Sequence, residues 1–302
     1  ISKFFNATGQ NKVYYCTIKT SLELMRIAFS IPIEEYRNDG LDEDFEYDLF
    51  RCVLMLNERL MNFSHADQLD LSTLLFSCYY VQNDILNQDR VKRIIKTKSS
   101  TIEEIGLIPY LEMKKIKVTE TNIGDFICQL YNQVPYNIVH SADNKTNSQI
   151  ADLYSNKFGI KQNCNPKQLT LYTKQLLKEE MSNPSAVITG ANFLVSNSGT
   201  IVLTENEGNI LKSCSFAPIH IVVASINKLI TSIDELSVLL PLSSFYEPNR
   251  NISSLYTFIN GPVEIEGQLQ KLYLILLNNN VTEILKKEKQ RDILSCVHCG
   301  GC

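Results

Sequence analysis

The sequence has no long apolar run: nowhere in its 302 residues do about 18 or more uncharged apolar positions follow one another, as a membrane-spanning helix requires. The opening Ile1-Ser2-Lys3-Phe4-Phe5 lacks the full succession of basic, apolar and small residues that marks a secretory signal. A cytoplasmic chain is the resulting expectation. An excess of one charge is missing too. Lys plus Arg number 29 against 33 Asp plus Glu, a net −4, which is too even to build the positive field that a phosphate backbone demands. Nucleic acid is therefore not an expected partner. Nor is a disulfide framework expected, because nine cysteines are an odd number and the chain is far longer than a stapled mini-domain. Cys16, Cys52, Cys78, Cys128, Cys164 and Cys214 stand singly, as small buried hydrophobes do in a reducing compartment.

What is present is an ordinary globular composition, 44% apolar and 21% charged, with material for one large core or two smaller ones. Residues 1 to 90 carry more helical than strand signals, with helix-like apolar spacing over Ser21 to Phe29 and over Leu49 to Leu60. His65 stands alone there and is read as a structural histidine. From residue 91 short β-rich runs alternate with amphipathic stretches, the pattern of a mostly parallel sheet covered by helices. Strands are expected at Arg93 to Ile95, Ile116 to Thr119, Asn137 to Val139, Ile219 to Ala224 and Leu272 to Leu277. Helices are expected at Thr101 to Lys115, with Thr101 as cap and Glu104 as its capping-box partner, and at Asn122 to Tyr131, Thr146 to Phe158, Pro166 to Met181 and Val281 to Leu294. Asn197-Ser198-Gly199 between two apolar runs predicts an antiparallel hairpin inserted into this α/β pattern.

The chain ends on Cys296-Val297-His298-Cys299-Gly300-Gly301-Cys302. C-x-x-C-x-x-C is the spacing with which bacterial ferredoxin-type segments place three thiolates around a 4Fe-4S cluster, and the glycines permit the tight turn. The fourth ligand of such a site lies beyond Cys302, so 291–302 is read as the start of a truncated cluster domain, expected to be cluster-free and mobile as it stands. A zinc-bound tail is the competing reading, since zinc sites also use C-x-x-C.

With these residues in view, the sequence resembles the lactate-utilisation protein B family, in which a LUD domain precedes a ferredoxin-type 4Fe-4S domain. The likeness rests on Lys96-Thr97-Lys98-Ser99, Glu103 to Leu107, Thr189-Gly190-Ala191-Asn192-Phe193, Gly199 to Leu203, Glu205-Asn206-Glu207-Gly208-Asn209, His220 to Ala224 and Tyr256 to Pro262. It implies a LUD-like domain over 91–290 with a fold like the sugar-phosphate isomerase and CoA-transferase sheets. It also implies a role as the iron–sulfur, electron-transfer subunit of a complex that oxidises L-lactate to pyruvate with partner subunits. One departure is Asn144-Lys145, where the family carries a His-Lys pair. Any role of that histidine is not carried over.

Open α/β sheets bind ligands at the carboxyl ends of their strands. Three matched segments fall there and supply substrate-binding candidates: Lys96, Lys98, Ser99, Gly190, Asn192, Glu205, Glu207 and Asn209. The lysines suit a small carboxylate, Gly190 a close backbone approach, and Asn192 both donation and acceptance. Glu205 or Glu207 suits a base or, with Asn209, a metal. Each also has a structural role open to it, as a solvated lysine, a helix cap or a turn residue. Two further functions stay open: a stand-alone isomerase- or transferase-like enzyme using the sheet end, and a non-catalytic assembly scaffold.

Overall fold

The structure is a computed structural model that describes residues 13–18, 86, 91–133, 135, 141–161, 164–205, 207–245, 255–277 and 281–295. Along the chain run β1 (Val13–Ile18), β2 (Arg93–Lys96), α1 (Ser100–Glu104), α2 (Leu107–Met113), β3 (Lys117–Glu120), α3 (Ile123–Leu130), α4 (Asn147–Phe158), α5 (Pro166–Met181) and β4 (Ala186–Thr189). There follow β5 (Phe193–Val195), β6 (Thr200–Glu205), α6 (Asn209–Phe216), β7 (Ile219–Ser225), β8 (Leu229–Ile230), α7 (Leu236–Phe245), β9 (Leu255–Ile259), the β10 (Glu264–Ile265) and β11 (Gln268–Leu269) ribbon, β12 (Lys271–Leu277) and α8 (Val281–Lys286).

Six strands form one parallel sheet in the order β1-β12-β7-β4-β2-β3. A parallel sheet needs cover on both faces, and the strands are correspondingly apolar without alternation. In β7 the first six residues are buried, and in β12 all but Lys271. One face packs Ile94, Ile188, Ile221 and Ile275 against Ile102, Leu107 and Leu111 of α1 and α2. The other packs Ile95 and Val187 against Phe126 of α3, Leu177 and Met181 of α5, and Ile210 of α6. Each fully buried Leu or Ile of these layers contributes about 1.5–3 kcal/mol.

A second sheet, β8-β5-β6-β9, carries the hairpin that the sequence announces. Gly199 turns it at φ 70, and Thr200 pairs with Val195 across it. Leu194 and Ile201 bury against Val222 and Leu274 of the main sheet, while Val195 and Val202 bury against Leu236 and Leu240 of α7.

Helices α4 and α5 begin where the sequence predicts, each with a complete capping box, Thr146 with Gln149 and Asn165 with Gln168. The helix expected over Thr101 to Lys115 is instead two. Gly106 enters the left-handed region at φ 57 and breaks it, Ser99 rather than Thr101 caps α1 by accepting from the Ile102 amide, and Thr101 turns inward. The helix expected over Val281 to Leu294 stops at Lys286 and resumes as a 3₁₀ turn at Arg291–Ser295. Residues 287–292 are charged or polar and exposed on every side, so no apolar face holds a continuous helix there. Val13–Ile18, in the stretch read as helix-rich, forms the outer strand beside β12. The helices expected over Ser21 to Phe29 and Leu49 to Leu60, the strand expected at Asn137 to Val139, and His65 lie outside the described residues, as do Cys296, Cys299 and Cys302. Among the described residues no helix is long and apolar enough to cross a membrane.

Candidate functional site at the carboxyl edge of the sheet

The winding of the sheet selects one place. From β2 the chain moves outward to β3, then returns across β2 to β4 and continues through β7 to β12. The direction reverses between β2 and β4, and it is outside the carboxyl ends of such a strand pair that open α/β sheets leave a crevice. The loops after β2, β3, β4 and β6 meet there.

Parallel register sets Lys96 opposite Glu120 at the ends of β2 and β3. Lys96 Nζ lies 2.9 Å from Glu120 Oε1 and 3.1 Å from Oε2, and it also pairs with Glu103 of α1. Both Lys96 and Glu120 are buried. Burial alone would lower the ammonium's affinity for its proton, but Glu120, Glu103 and Asp125 outweigh it and hold Lys96 above its ordinary value. Burial pushes the Glu120 carboxyl up to about 8 against the opposing pull of Lys96. Asp125, in the first turn of α3, accepts from the Ser141 hydroxyl, which in turn accepts from Lys98 Nζ at 3.3 Å. Lys96 is thus the clamp joining β2, β3 and α1. The sequence offers Lys96 as a cationic donor to a small carboxylate; the structure buries it against Glu103 and Glu120.

The other candidates divide into those that hold the scaffold and those that face outward. Ser99 caps α1 and lies hard against Gly190, where an added Cβ would sit 2.5 Å from Ser99 Oγ; Gly190 therefore admits a neighbouring loop, where a ligand was expected. Asn192 Oδ1 accepts from the Thr204 amide at 2.8 Å and fastens β5 to β6. Glu205 accepts from the Ile210 and Leu211 amides at 2.6 and 3.0 Å, so its carboxylate caps α6 where the Gly208 N-cap offers no side chain. A base or metal ligand is what the sequence suggested for Glu205; the positive end of a helix is what it holds.

Glu207 and Asn209 stand at the mouth of the edge. Glu207 Oε1 accepts from Asn122 Nδ2 at 3.1 Å, and Oε2 accepts from Asn209 Nδ2 at 2.7 Å. Asn209 also donates to the Thr121 carbonyl at 2.7 Å, tying the loop before α6 to the end of β3. The Glu207 residue is exposed as a whole, yet its carboxyl group is enclosed enough for desolvation to push it upward, against the pull of Asn209, the Ile123 amide, Lys174 and Lys98.

Sequence reasoning missed Glu120, Asp125, Asn122 and Ser141 as site residues. Glu120 was findable, because it ends the strand after the one that Lys96 ends, and parallel neighbours in register bring such ends together. It missed a core pair as well. His220 Nε2 bonds Thr189 Oγ1 at 2.9 Å and lies 3.6 Å from Cys214 Sγ, with burial pushing the imidazole down to about 3 and the thiol up. His220 is the second residue of β7, and the Thr189 that it bonds is the last residue of β4.

Among the described residues no cluster of three or more His, Cys, Asp or Glu suits a metal ion. A family model for the LUD domain matches residues 70–276. The chain is 30% identical over 226 residues to lactate utilization protein B 2 of Bacillus mycoides strain KBAB4, and 32% identical over 227 residues to lactate utilization protein B of Geobacillus sp. strain WCH70. Each alignment covers 74% of this chain and 47% of the relative, so the chain spans about half the length of these relatives. A crystal structure of a DUF162 family protein from Deinococcus radiodurans shares 14% identity, covers 51% of this chain and 93% of its own, and superposes with a TM-score of 0.25. With a matched region that runs from ahead of β2 into β12, the chain belongs to the LUD domain family.

Proposed function

We propose that this chain serves lactate utilisation as the iron–sulfur subunit of a complex that oxidises L-lactate to pyruvate. The observation that carries the reading is its identity of 30–32% over 74% of its length with relatives named lactate utilization protein B. The Cys296, Cys299 and Cys302 spacing agrees with it, because thiolates three residues apart suit three corners of a 4Fe-4S cluster. Such a cluster supplies one-electron transfer, which lets a hydroxyl-to-ketone oxidation pass its electrons to a partner one at a time. The contribution of the α/β body is a rigid platform. The buried Lys96 clamp locks the edge strand β3 to β2, and the sheet's covered faces hold β12, from which the chain proceeds through α8 to the cysteines.

The native gene product, purified anaerobically and reconstituted with ferrous iron and sulfide, is expected to be brown, to carry iron and acid-labile sulfide in nearly equal amounts, and to show a cluster EPR signal on reduction. A colourless product without iron overturns the reading, and zinc without sulfide replaces it with a scaffold whose tail binds zinc.

A further inference from the structure

Glu207 is an acidic side chain held in surroundings suited to an anion from elsewhere. Its two carboxylate oxygens take the amides of Asn122 and Asn209, one each, at 3.1 and 2.7 Å. Burial pushes the Glu207 carboxyl up, and the Ile123 backbone amide, at the start of the eight-residue α3, together with the charges of Lys174 and Lys98, pulls against it. Asn122 and the Ile123 amide come from the start of α3 and Asn209 from the start of α6, and the Thr121 carbonyl fixes Asn209 beside them. Glu207 itself belongs to none of the packed layers. It is exposed and is followed by Gly208 in the left-handed region at φ 72, in a turn between β6 and α6.

A second, independent observation lies at the end of β2. Thr97 is 1% exposed, and its hydroxyl has no hydrogen-bond partner among the described residues. Its amide donates to the Ile188 carbonyl and so extends β2 by one residue. Alternation along the strand puts its side chain on the face of Ile95, opposite Lys96, and that is the face covered by α3 and α6. A buried hydroxyl left unbonded is uncommon and calls for a partner. Here it points to the same face and the same edge as the N-termini that carry Asn122 and Asn209.

We infer that the cradle of Asn122, Asn209, Lys98 and the start of α3 is a binding site for a small free monocarboxylate bearing a hydroxyl or keto group, and that Glu207 occupies it as an internal stand-in. The free ligand displaces the Glu207 carboxylate, and its α-oxygen meets the Thr97 hydroxyl. The exchange is reversible, breaks no covalent bond and swaps one carboxylate for another, so net charge in the cradle is conserved. The inference rests on the lactate-utilisation reading for its ligand class and is independent of the cluster.

Calorimetric titration of the intact chain with L-lactate, pyruvate and acetate tests it. Removing the competitor with Glu207→Ala is expected to tighten L-lactate or pyruvate binding at least tenfold, and adding Asn209→Ala or Asn122→Ala to that variant is expected to abolish it. Thr97→Val in the Glu207→Ala background is expected to weaken L-lactate and pyruvate severalfold and to leave acetate unchanged. Equal affinity of the wild-type chain and Glu207→Ala overturns the stand-in role, and L-lactate binding that survives Asn209→Ala with Asn122→Ala overturns the site. Glu207→Gln keeps the shape without the charge and is expected to lie between the two. A thermal melt shows that each variant compared is folded. The titration needs no iron, so its failure leaves the cluster test untouched, and the reverse holds as well.

Discussion

Lys96 Nζ stands 2.9 Å from Glu120 Oε1 across the ends of two adjacent parallel strands, and neither side chain faces solvent. A buried pair of this kind is costly to break from one side, because the charge left behind has no water to turn to. Lys96→Met leaves Glu103, Glu120 and Asp125 without their common cation and is expected to lower stability by about 3–5 kcal/mol. Pairing it with Glu120→Leu is expected to restore part of that loss, since a matched apolar pair avoids desolvation. Urea unfolding of the single and double variants measures both.

Two buried groups tilt the pH dependence of stability in opposite directions. Glu120 binds its proton more tightly folded, at about 8, than unfolded near 4.5, so its contribution is full below 4.5 and is lost as pH rises through 8. His220 binds its proton less tightly folded, at about 3, than unfolded near 6.5, so its contribution is full above 6.5 and is lost as pH falls toward 3. Each group contributes a slope of at most about 1.4 kcal/mol per pH unit. Urea midpoints from pH 4 to 9 are expected to lose their alkaline decline in Glu120→Gln and to flatten on the acid side in His220→Gln.

Gly190 and Ser99 are coupled by contact. A Cβ at 190 would stand 2.9 Å from Ser99 Cβ as well as 2.5 Å from its hydroxyl, so Gly190→Ala is expected to destabilise by about 1–3 kcal/mol. Ser99→Gly weakens the α1 cap by only a few tenths of a kcal/mol, because glycine is a tolerable N-cap. The double variant is expected to be more stable than Gly190→Ala alone. A double-mutant cycle without coupling would disprove the contact.

Glu205 separates a structural carboxylate from a chemical one. Its two short bonds to the α6 amides predict that Glu205→Ala costs about 1–3 kcal/mol and that Glu205→Gln costs less. Hydrogen exchange at Ile210 and Leu211 is expected to accelerate in both variants. A Glu205→Gln protein with unchanged exchange would return the residue to the list of candidate bases.

Much of the fold was legible because it follows from local rules. The unbroken apolar run at Ile219 to Ala224 marks a strand buried on both faces, and Asn165-Pro166 with Gln168 is a helix start in any context. The hairpin around Gly199 was legible for the same reason. What failed were inferences about continuity. Gly106 sits inside a periodic stretch, and its left-handed turn was not distinguished from a tolerated helical glycine. The strand at Val13–Ile18 finds its partner more than two hundred residues away, a distance over which a local pattern carries no information.

The candidate site shows the same division. By itself the sequence determined the α/β architecture, the carboxyl-edge location and most of the residues gathered there, since period, caps and strand ends depend on neighbours along the chain. Only tertiary structure decided which of those residues are spent on the scaffold. Lys96 is consumed by Glu103 and Glu120, Glu205 by α6 and Gly190 by Ser99, whereas Glu207 and Asn209 stay at the mouth. The reason is physical: a charge or a small residue declares what it can do, but its partner is chosen by the register and winding of strands that lie far apart in sequence.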